Sequence, residues 1–471
     1  MKHTVTSISL ALGCYLATSM AAPAGGLVNN TSVGFTPLTE LGTGTYRGAQ
    51  GGLYPGGGND IPAAHLAAGQ ALASIIEPLN AAGNPSADGK IGIITTGMSN
   101  ANQIFDRLGQ MLDGLWADKV VFVNAAQGGM DARLWADRES TAWNVALGKV
   151  SDAGLTTKQI QLALNYHAVA HINTPPQPWP ATPGDLQAFL ETIAGHLATT
   201  FPNLRLSFWG TREYGGYATS ANNPEPYAYQ SGFAVKWMIE RQINKVGLNF
   251  DPEQGAVTAP WMAWGPYTWA DGIRPRADGL FYEPRDFRRD GTHPSMRGRS
   301  KIAWTWVEFL RNQPLTAARL FPAGNRSPVC AISFPQDAEA VAVGSKVAIE
   351  AFAADEDSGI ERVDFYHGTT LIGSDSAAPF SILWTHPGPG DYPLHVVARD
   401  AQGGERTSRI ITAKLRASGT ASDIIAEDSF ESGDFRGGSG WNGEWIVNGN
   451  PLTLSGQAED GKRENRQPPT G

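Results

Sequence analysis

The sequence predicts an α/β fold on a parallel sheet, followed by a small antiparallel β-sandwich. Three observations carry this. Apolar runs at 90–97, 120–124, 160–165 and 204–209 alternate with stretches of helical periodicity, the βαβ rhythm of a sheet covered on both faces. Beyond 328 the spacing changes to strict alternation, with Val347, Ile349 and Ala351 on one strand face and Tyr392, Leu394, Val396 and Ala398 on another. Between the two patterns, Phe321-Pro322-Ala323-Gly324-Asn325-Arg326-Ser327-Pro328 is rich in turn residues and reads as a linker.

Taken in order, the chain starts with Lys2, an apolar stretch over 5–16 and the small residues Ser19-Met20-Ala21-Ala22. This is the layout of a secretory signal peptide, expected to be cleaved after Ala21 or Ala22, so the protein is expected to be secreted or periplasmic. Cys14 in Leu12-Gly13-Cys14 offers lipoprotein anchoring as a competing reading, against which stand Ala11 three residues earlier and the short apolar run. Asn59-Asp60 and Pro62 open a helix along Ala63, Leu66, Ala67, Ala71, Ile75 and Leu79. Further helices are expected near 101–115, 185–199 and 299–312. The resulting division is a signal peptide at 1–22, an α/β domain at 30–315, a linker at 316–328, a sandwich at 329–416, and at 417–471 a linker with a partial or disordered β-type tail.

Composition removes several function classes. The 471 residues carry 36 Lys+Arg against 45 Asp+Glu, a net charge of −9, which disfavours nucleic acid as a partner because phosphate binding needs a basic patch. Two cysteines cannot staple a chain of this length, and only Cys330 would survive signal cleavage. No later segment has the ~18–20 continuous apolar residues of a membrane span. The Gly-rich stretch 51–58 precedes a strand and lacks Lys-Ser/Thr, so it supports neither a dinucleotide site nor a P-loop.

Chemistry concentrates at strand ends, where open parallel sheets place their sites. Gly97-Met98-Ser99-Asn100 follows the first strand, Asn124 to Asp131 with Gly128-Gly129 follows the second, Asn165-Tyr166-His167 ends the third, and Asp290-Gly291-Thr292-His293-Pro294 lies near the domain's end. Nucleophilic hydrolysis needs a hydroxyl, a base, a carboxylate that orients the base, and N–H donors where an oxyanion develops. Ser99, His293 and Asp290 supply the first three. Gly129, with Gly128 as its alternative, and Ser99 offer backbone N–H groups, and Asn165 offers a side-chain amide, with His167 competing for that role.

This order of Ser, Gly, Asn and Asp-x-x-His resembles the SGNH/GDSL hydrolase superfamily, and Gly-Met-Ser-Asn with Gly-Gly and Trp135 is most similar to its carbohydrate-esterase branch. The resemblance spans about 45–312. It implies a three-layer, flavodoxin-like parallel sheet, Ser99 as nucleophile, Asp290 and His293 as its partners, Gly129 and Asn165 as oxyanion donors, and hydrolysis of small acyl esters, acetyl-like, on a carbohydrate without any cofactor. Met98 stands where the family usually has Asp or Gln, and Asn165 is placed by its strand end rather than by a motif. The segment from Ala353-Ala354-Asp355 to Asp364-Phe365-Tyr366, with Val397 to Gly404, resembles bacterial immunoglobulin-like modules appended to secreted enzymes, which implies an immunoglobulin-like sandwich; it would either bring the enzyme to a polysaccharide or surface or act only as a spacer. Arg212 and Tyr214, after the fourth strand, are expected to line the substrate cleft.

Two alternatives stay open. A non-catalytic carbohydrate-binding or adhesive surface protein would keep the fold without turnover. A metal-dependent hydrolase would use His167 and His171, which have the i, i+4 spacing of a zinc pair, although Ala168 stands where the metalloprotease motif needs its Glu.

Overall fold

Residues 91–97 contain Ile91, Ile93 and Ile94, and every position of the run is buried, as expected of a strand with helices on both sides. In the computed structural model this strand, Ile91–Gly97 (β1), is an inner strand of a five-stranded sheet with Val120–Asn124 (β2), Ile160–Tyr166 (β3), Leu206–Gly210 (β4) and Trp261–Trp264 (β5). All four pairings are parallel and the order is β2-β1-β3-β4-β5, the doubly wound arrangement whose sites lie outside the carboxyl ends of the strands. The sequence reading missed β5: four residues are too few to show periodicity. The structure describes residues 31–170, 178–322, 325–343, 346–355, 357–386 and 388–417, with the backbone of 446–447 and 450–451. The signal segment with Cys14, His171 and the expected tail lie outside the described residues.

Helices Ala63–Ser74 (α1), Ser99–Leu112 (α2), Ala132–Ala136 (α3), Thr141–Asp152 (α4), Ala181–Thr200 (α5), Tyr227–Ile243 (α6) and Met296–Asn312 (α7) cover the sheet. α2 packs against α7, and α5 against α6. α2 begins two residues earlier than the periodicity suggested, directly at Ser99, and α7 three residues earlier, at Met296 just after His293. No described helix is long and apolar enough to cross a membrane.

The second region comprises Val329–Phe334 (β6), Ala340–Val343 (β7), Val347–Ala354 (β8), Ile360–His367 (β9), Thr370–Asp375 (β10), Phe380–Trp384 (β11), Gly390–Asp400 (β12), Glu405–Thr407 (β13) and Ile411–Ala417 (β14). One sheet runs β11-β8-β6, and the other β10-β9-β12-β14-β7, with β13 on β12. All pairings are antiparallel except β14 with β7. The alternating residues Val347, Ile349, Ala351, Leu394, Val396 and Ala398 point into a shared core, and burying each of the larger ones stabilises the sandwich by about 1.5–3 kcal/mol.

Candidate active site

The chain turns from β1 into α2 at Gly97, which has φ +144°, and a Cβ there would lie 2.2 Å from the carbonyl oxygen of Tyr166. Only glycine lets the ends of β1 and β3 approach this closely, and Ser99 is thereby set at the first turn of α2. Met98 occupies the cap position without a side-chain hydrogen bond. An Asp or Asn there would accept from the first helical N–H groups; methionine leaves these donors to other acceptors.

Ser99 Oγ lies 2.8 Å from His293 Nε2, and His293 Nδ1 lies 2.5 Å from Asp290 Oδ2. The second Asp290 oxygen accepts the backbone N–H groups of Thr292 and His293, each at 2.9 Å, so the carboxylate folds its own turn around the imidazole it orients. Gly291 at the bend has φ +64°, and a Cβ there would meet Tyr217 O at 1.8 Å. Burial alone would raise the Asp290 carboxyl; its hydrogen bond to His293, the electrostatic attraction of that ring and the two N–H groups outweigh this and hold it below the usual carboxylate range. An ionised Asp290 fixes the proton on Nδ1, leaving the Nε2 lone pair to accept from the Ser99 hydroxyl. Exposure rises along this chain of groups, from 7% for Ser99 to 17% and 43% for the side chains of His293 and Asp290.

The loop after β2 is tied to the same place. Gln127 donates its N–H to Gly97 O at 3.0 Å, and Trp135 Nε1 donates to the same oxygen at 3.2 Å. Gly129, two residues beyond Gln127, is exposed, with φ +75°.

The structure does not bring Asn165 into the site, because side chains alternate along a strand and this one points to the interior. Its amide donates to Ser207 Oγ at 2.8 Å and Phe208 O at 3.1 Å, which takes up both hydrogens, and its oxygen accepts from Thr96. His167, the competing candidate, is buried as well. Thr96 gives its one proton to Asn165, so His167 Nε2 donates to Thr96 Oγ1 at 2.8 Å and Nδ1 is an acceptor. Burial pushes the imidazole down to about 3, so it is neutral at pH 7. Its one free nitrogen, Nδ1, is unpartnered among the described residues and has no proton to give an oxyanion. Among the described residues no three His, Cys, Asp or Glu side chains are placed to hold a metal ion.

Tyr214 does not line a cleft either: it is fully buried, its ring edge-on to Tyr217 with centroids 4.9 Å apart. Arg212 is also buried and reaches the site from behind, donating from Nη2 to Thr292 O at 3.4 Å. Here the structure adds residues that the sequence reading missed. Asn100 Nδ2 donates to Thr292 O at 2.9 Å and, by a short bond, to Glu213 Oε1. Tyr166 donates a short hydrogen bond to Glu213 Oε2, and Glu213 N donates to Tyr166 Oη at 3.1 Å. Burial, then the Glu213 charge, push the Tyr166 phenol well up, which keeps it a donor. Arg212 Nη2 stands 3.5 Å from Glu213 Oε1 and neutralises a carboxylate that has no access to water. Asn100, Arg212 and Glu213 thus grip the peptide that carries His293. Asn100 was legible as part of Gly-Met-Ser-Asn; Glu213 had no signal beyond its adjacency to Arg212.

Residues 328–397 match the family model described as a bacterial Ig domain. No curated protein matches the chain in sequence. Among solved structures, fibronectin(III)-like modules of Clostridium thermocellum CbhA are 29% identical, with 18% of this chain and 94% of that chain covered and a TM-score of 0.18. The PKD1 domain of Vibrio anguillarum Epp is 19% identical over 20% of this chain and 99% of that one, with a TM-score of 0.16. A Parabacteroides merdae protein described as a GDSL-like lipase is 13% identical over 46% of this chain and 94% of that one, with a TM-score of 0.29. The chain is therefore similar to bacterial Ig domains at 328–397, behind a parallel-sheet α/β region.

Proposed function

We propose that this chain is an exported serine esterase of the SGNH type, removing small acyl groups, acetyl foremost, from a carbohydrate. The observation that carries the reading is the line of Ser99 Oγ, His293 and Asp290, with separations of 2.8 and 2.5 Å. His293 Nε2 takes the Ser99 proton as Oγ attacks the ester carbonyl. The oxyanion is held by the N–H groups of Ser99 and Gly129, the first with the dipole of α2 behind it. His293 returns the proton to the leaving alcohol, then activates the water that releases the acyl group. Every step uses side chains or backbone of this chain, with no cofactor. In this reading, 30–315 is the hydrolase domain and Arg212 orients the His293 loop from behind rather than touching substrate. Polysaccharide contact by the sandwich fits Tyr366 and His395, which stack 5.0 Å apart on the sheet face turned from its core.

The test is a hydrolysis screen over acetylated sugars and aryl acetates with Ser99→Ala as control. Release of acetate that disappears in the variant is expected. Wild-type protein that is inert in the screen and unlabelled by a fluorophosphonate overturns the reading in favour of a binding protein.

A further inference from the structure

β6 departs from the pattern of an outer sandwich strand. Such a strand ordinarily buries alternate residues and leaves the rest to water, yet Val329 to Ser333 are buried without interruption. The two faces belong to different cores: Cys330 and Ile332 point into the sandwich, whereas Val329 and Ala331 join the core of the α/β region. Its neighbour β8 does the same, with Val347, Ile349 and Ala351 inward and Phe352 and Ala354 against the α/β core.

What these strands touch is specific. Phe352 stacks on Trp304 of α7 with centroids 5.3 Å apart and planes at 14°. Arg107 of α2 is buried and donates from Nε to Ser300 Oγ of α7 at 2.9 Å, and from Nη2 to Ile332 O of β6 at 3.4 Å. Ser300 Oγ in turn donates to Gln336 Oε1 at 3.3 Å, just past β6. Arg406 donates to Asp113 O at the end of α2, and Arg409 Nη1 to Gln110 Oε1 at 3.4 Å. The sandwich therefore seats on two helices and on the junction between them. α2 begins at Ser99 and α7 begins three residues after His293.

We propose that the Ig-like region is a fixed third wall of the hydrolase, which clamps α2 to α7 and so sets the alignment of Ser99 with His293. This rests on the serine esterase reading for its effect on rate. Arg107, Ser300, Gln336, Trp304 and Phe352 are positioning residues: none touches the reacting atoms, and Arg107 lies about 12 Å along α2 from Ser99 at 1.5 Å per residue. Slippage of α7 against α2 by about 1 Å would break the 2.8 Å hydrogen bond, and misplacements of that size can cost ~100-fold in rate. A module that only tethers the enzyme to a polysaccharide would leave hydrolysis of a small soluble ester untouched.

The test uses the full chain. The double variant Arg107→Met/Phe352→Ala is expected to lower kcat on p-nitrophenyl acetate about tenfold or more with KM little changed. Phe352→Tyr keeps the ring and is expected to stay within about twofold of wild type; Leu383→Ser, on an exposed position of β11, serves as a control expected to match it. Independently of activity, the wild type is expected to unfold in one calorimetric transition, and hydrogen exchange over 99–112 and 296–312 is expected to quicken in Phe352→Ala. Unchanged kcat in a folded double variant, or two separate wild-type transitions with unaltered exchange, overturns the clamp. If wild-type protein neither hydrolyses esters nor reacts with a fluorophosphonate, the esterase reading fails, and the unfolding and exchange data alone decide whether the two helices are clamped.

Discussion

Two polar clusters meet at the peptide of Thr292, one hydrogen-bonded to its N–H side and the other to its carbonyl oxygen, and they differ in almost every other respect. On one side, Ser99, His293 and Asp290 lie in line with growing access to solvent. On the other, Asn100, Glu213, Tyr166 and Arg212 are sealed from water. The open cluster has what proton transfer needs: a base with one free lone pair and a carboxylate that fixes its tautomer. The sealed cluster has what positioning needs: short, charge-assisted bonds in surroundings where leaving a partner unmatched is expensive. In the serine esterase reading, the geometry of Ser99 and His293 is held from the buried side, through the Thr292 carbonyl that Asn100 and Arg212 grip.

Cutting the open cluster is expected to have the largest effect. Ser99→Ala and His293→Ala are each expected to lower kcat by about 10⁴-fold or more and to resemble one another, because members of such a relay act as a unit; steady-state kinetics on an aryl acetate checks this. Asp290→Asn keeps the turn but loses the charge that fixes the imidazole, for a loss of about 10³–10⁴-fold in the same assay. Cutting the sealed cluster separates positioning from chemistry. Glu213→Gln is expected to cost about 10–100-fold in kcat with KM little changed, and to leave fluorophosphonate labelling of Ser99 slower but present. Labelling as fast as in wild type would show that the sealed cluster serves stability alone.

The smallest effect concerns His167, which lies behind the sheet end with Thr96 and Asn165. The folded protein holds this imidazole at about 3, against an ordinary value near 6.5. As pH falls below about 6.5, the unfolded chain binds a proton that the folded one refuses, so stability present above that value is lost progressively toward pH 3. Between pH 6.5 and 5 the loss amounts to about 2 kcal/mol for this group. His167→Gln cannot titrate, and its stability measured by denaturant should fall less over that interval than that of wild type; parallel curves would show that His167 reaches water.

The sheet was legible because β1 to β4 are mainly apolar segments of five to seven residues alternating with helical stretches, whereas Trp261–Trp264 was too short to register. The open cluster was legible because its chemistry is local: Asp290 and His293 sit three residues apart in one turn, and Ser99 follows a glycine that only a tight junction requires. Asn165 failed for a physical reason. A strand end identifies the edge of the sheet but not which way a side chain faces, and alternation sent this amide inward. Tyr214 failed similarly, since its position after β4 gave proximity without exposure. Glu213 could not be read at all, because its partners Asn100 and Tyr166 lie 113 and 47 residues away and only the folded chain brings them together.

In the proposed reaction, Ser99 is a nucleophile activated by His293. Mass-spectrometric mapping of a fluorophosphonate adduct tests it most directly. The expected result is a single phosphonylated site at Ser99, formed in wild type and absent or strongly slowed in His293→Ala. An adduct at another residue, or none under conditions that label a serine esterase standard, would contradict it.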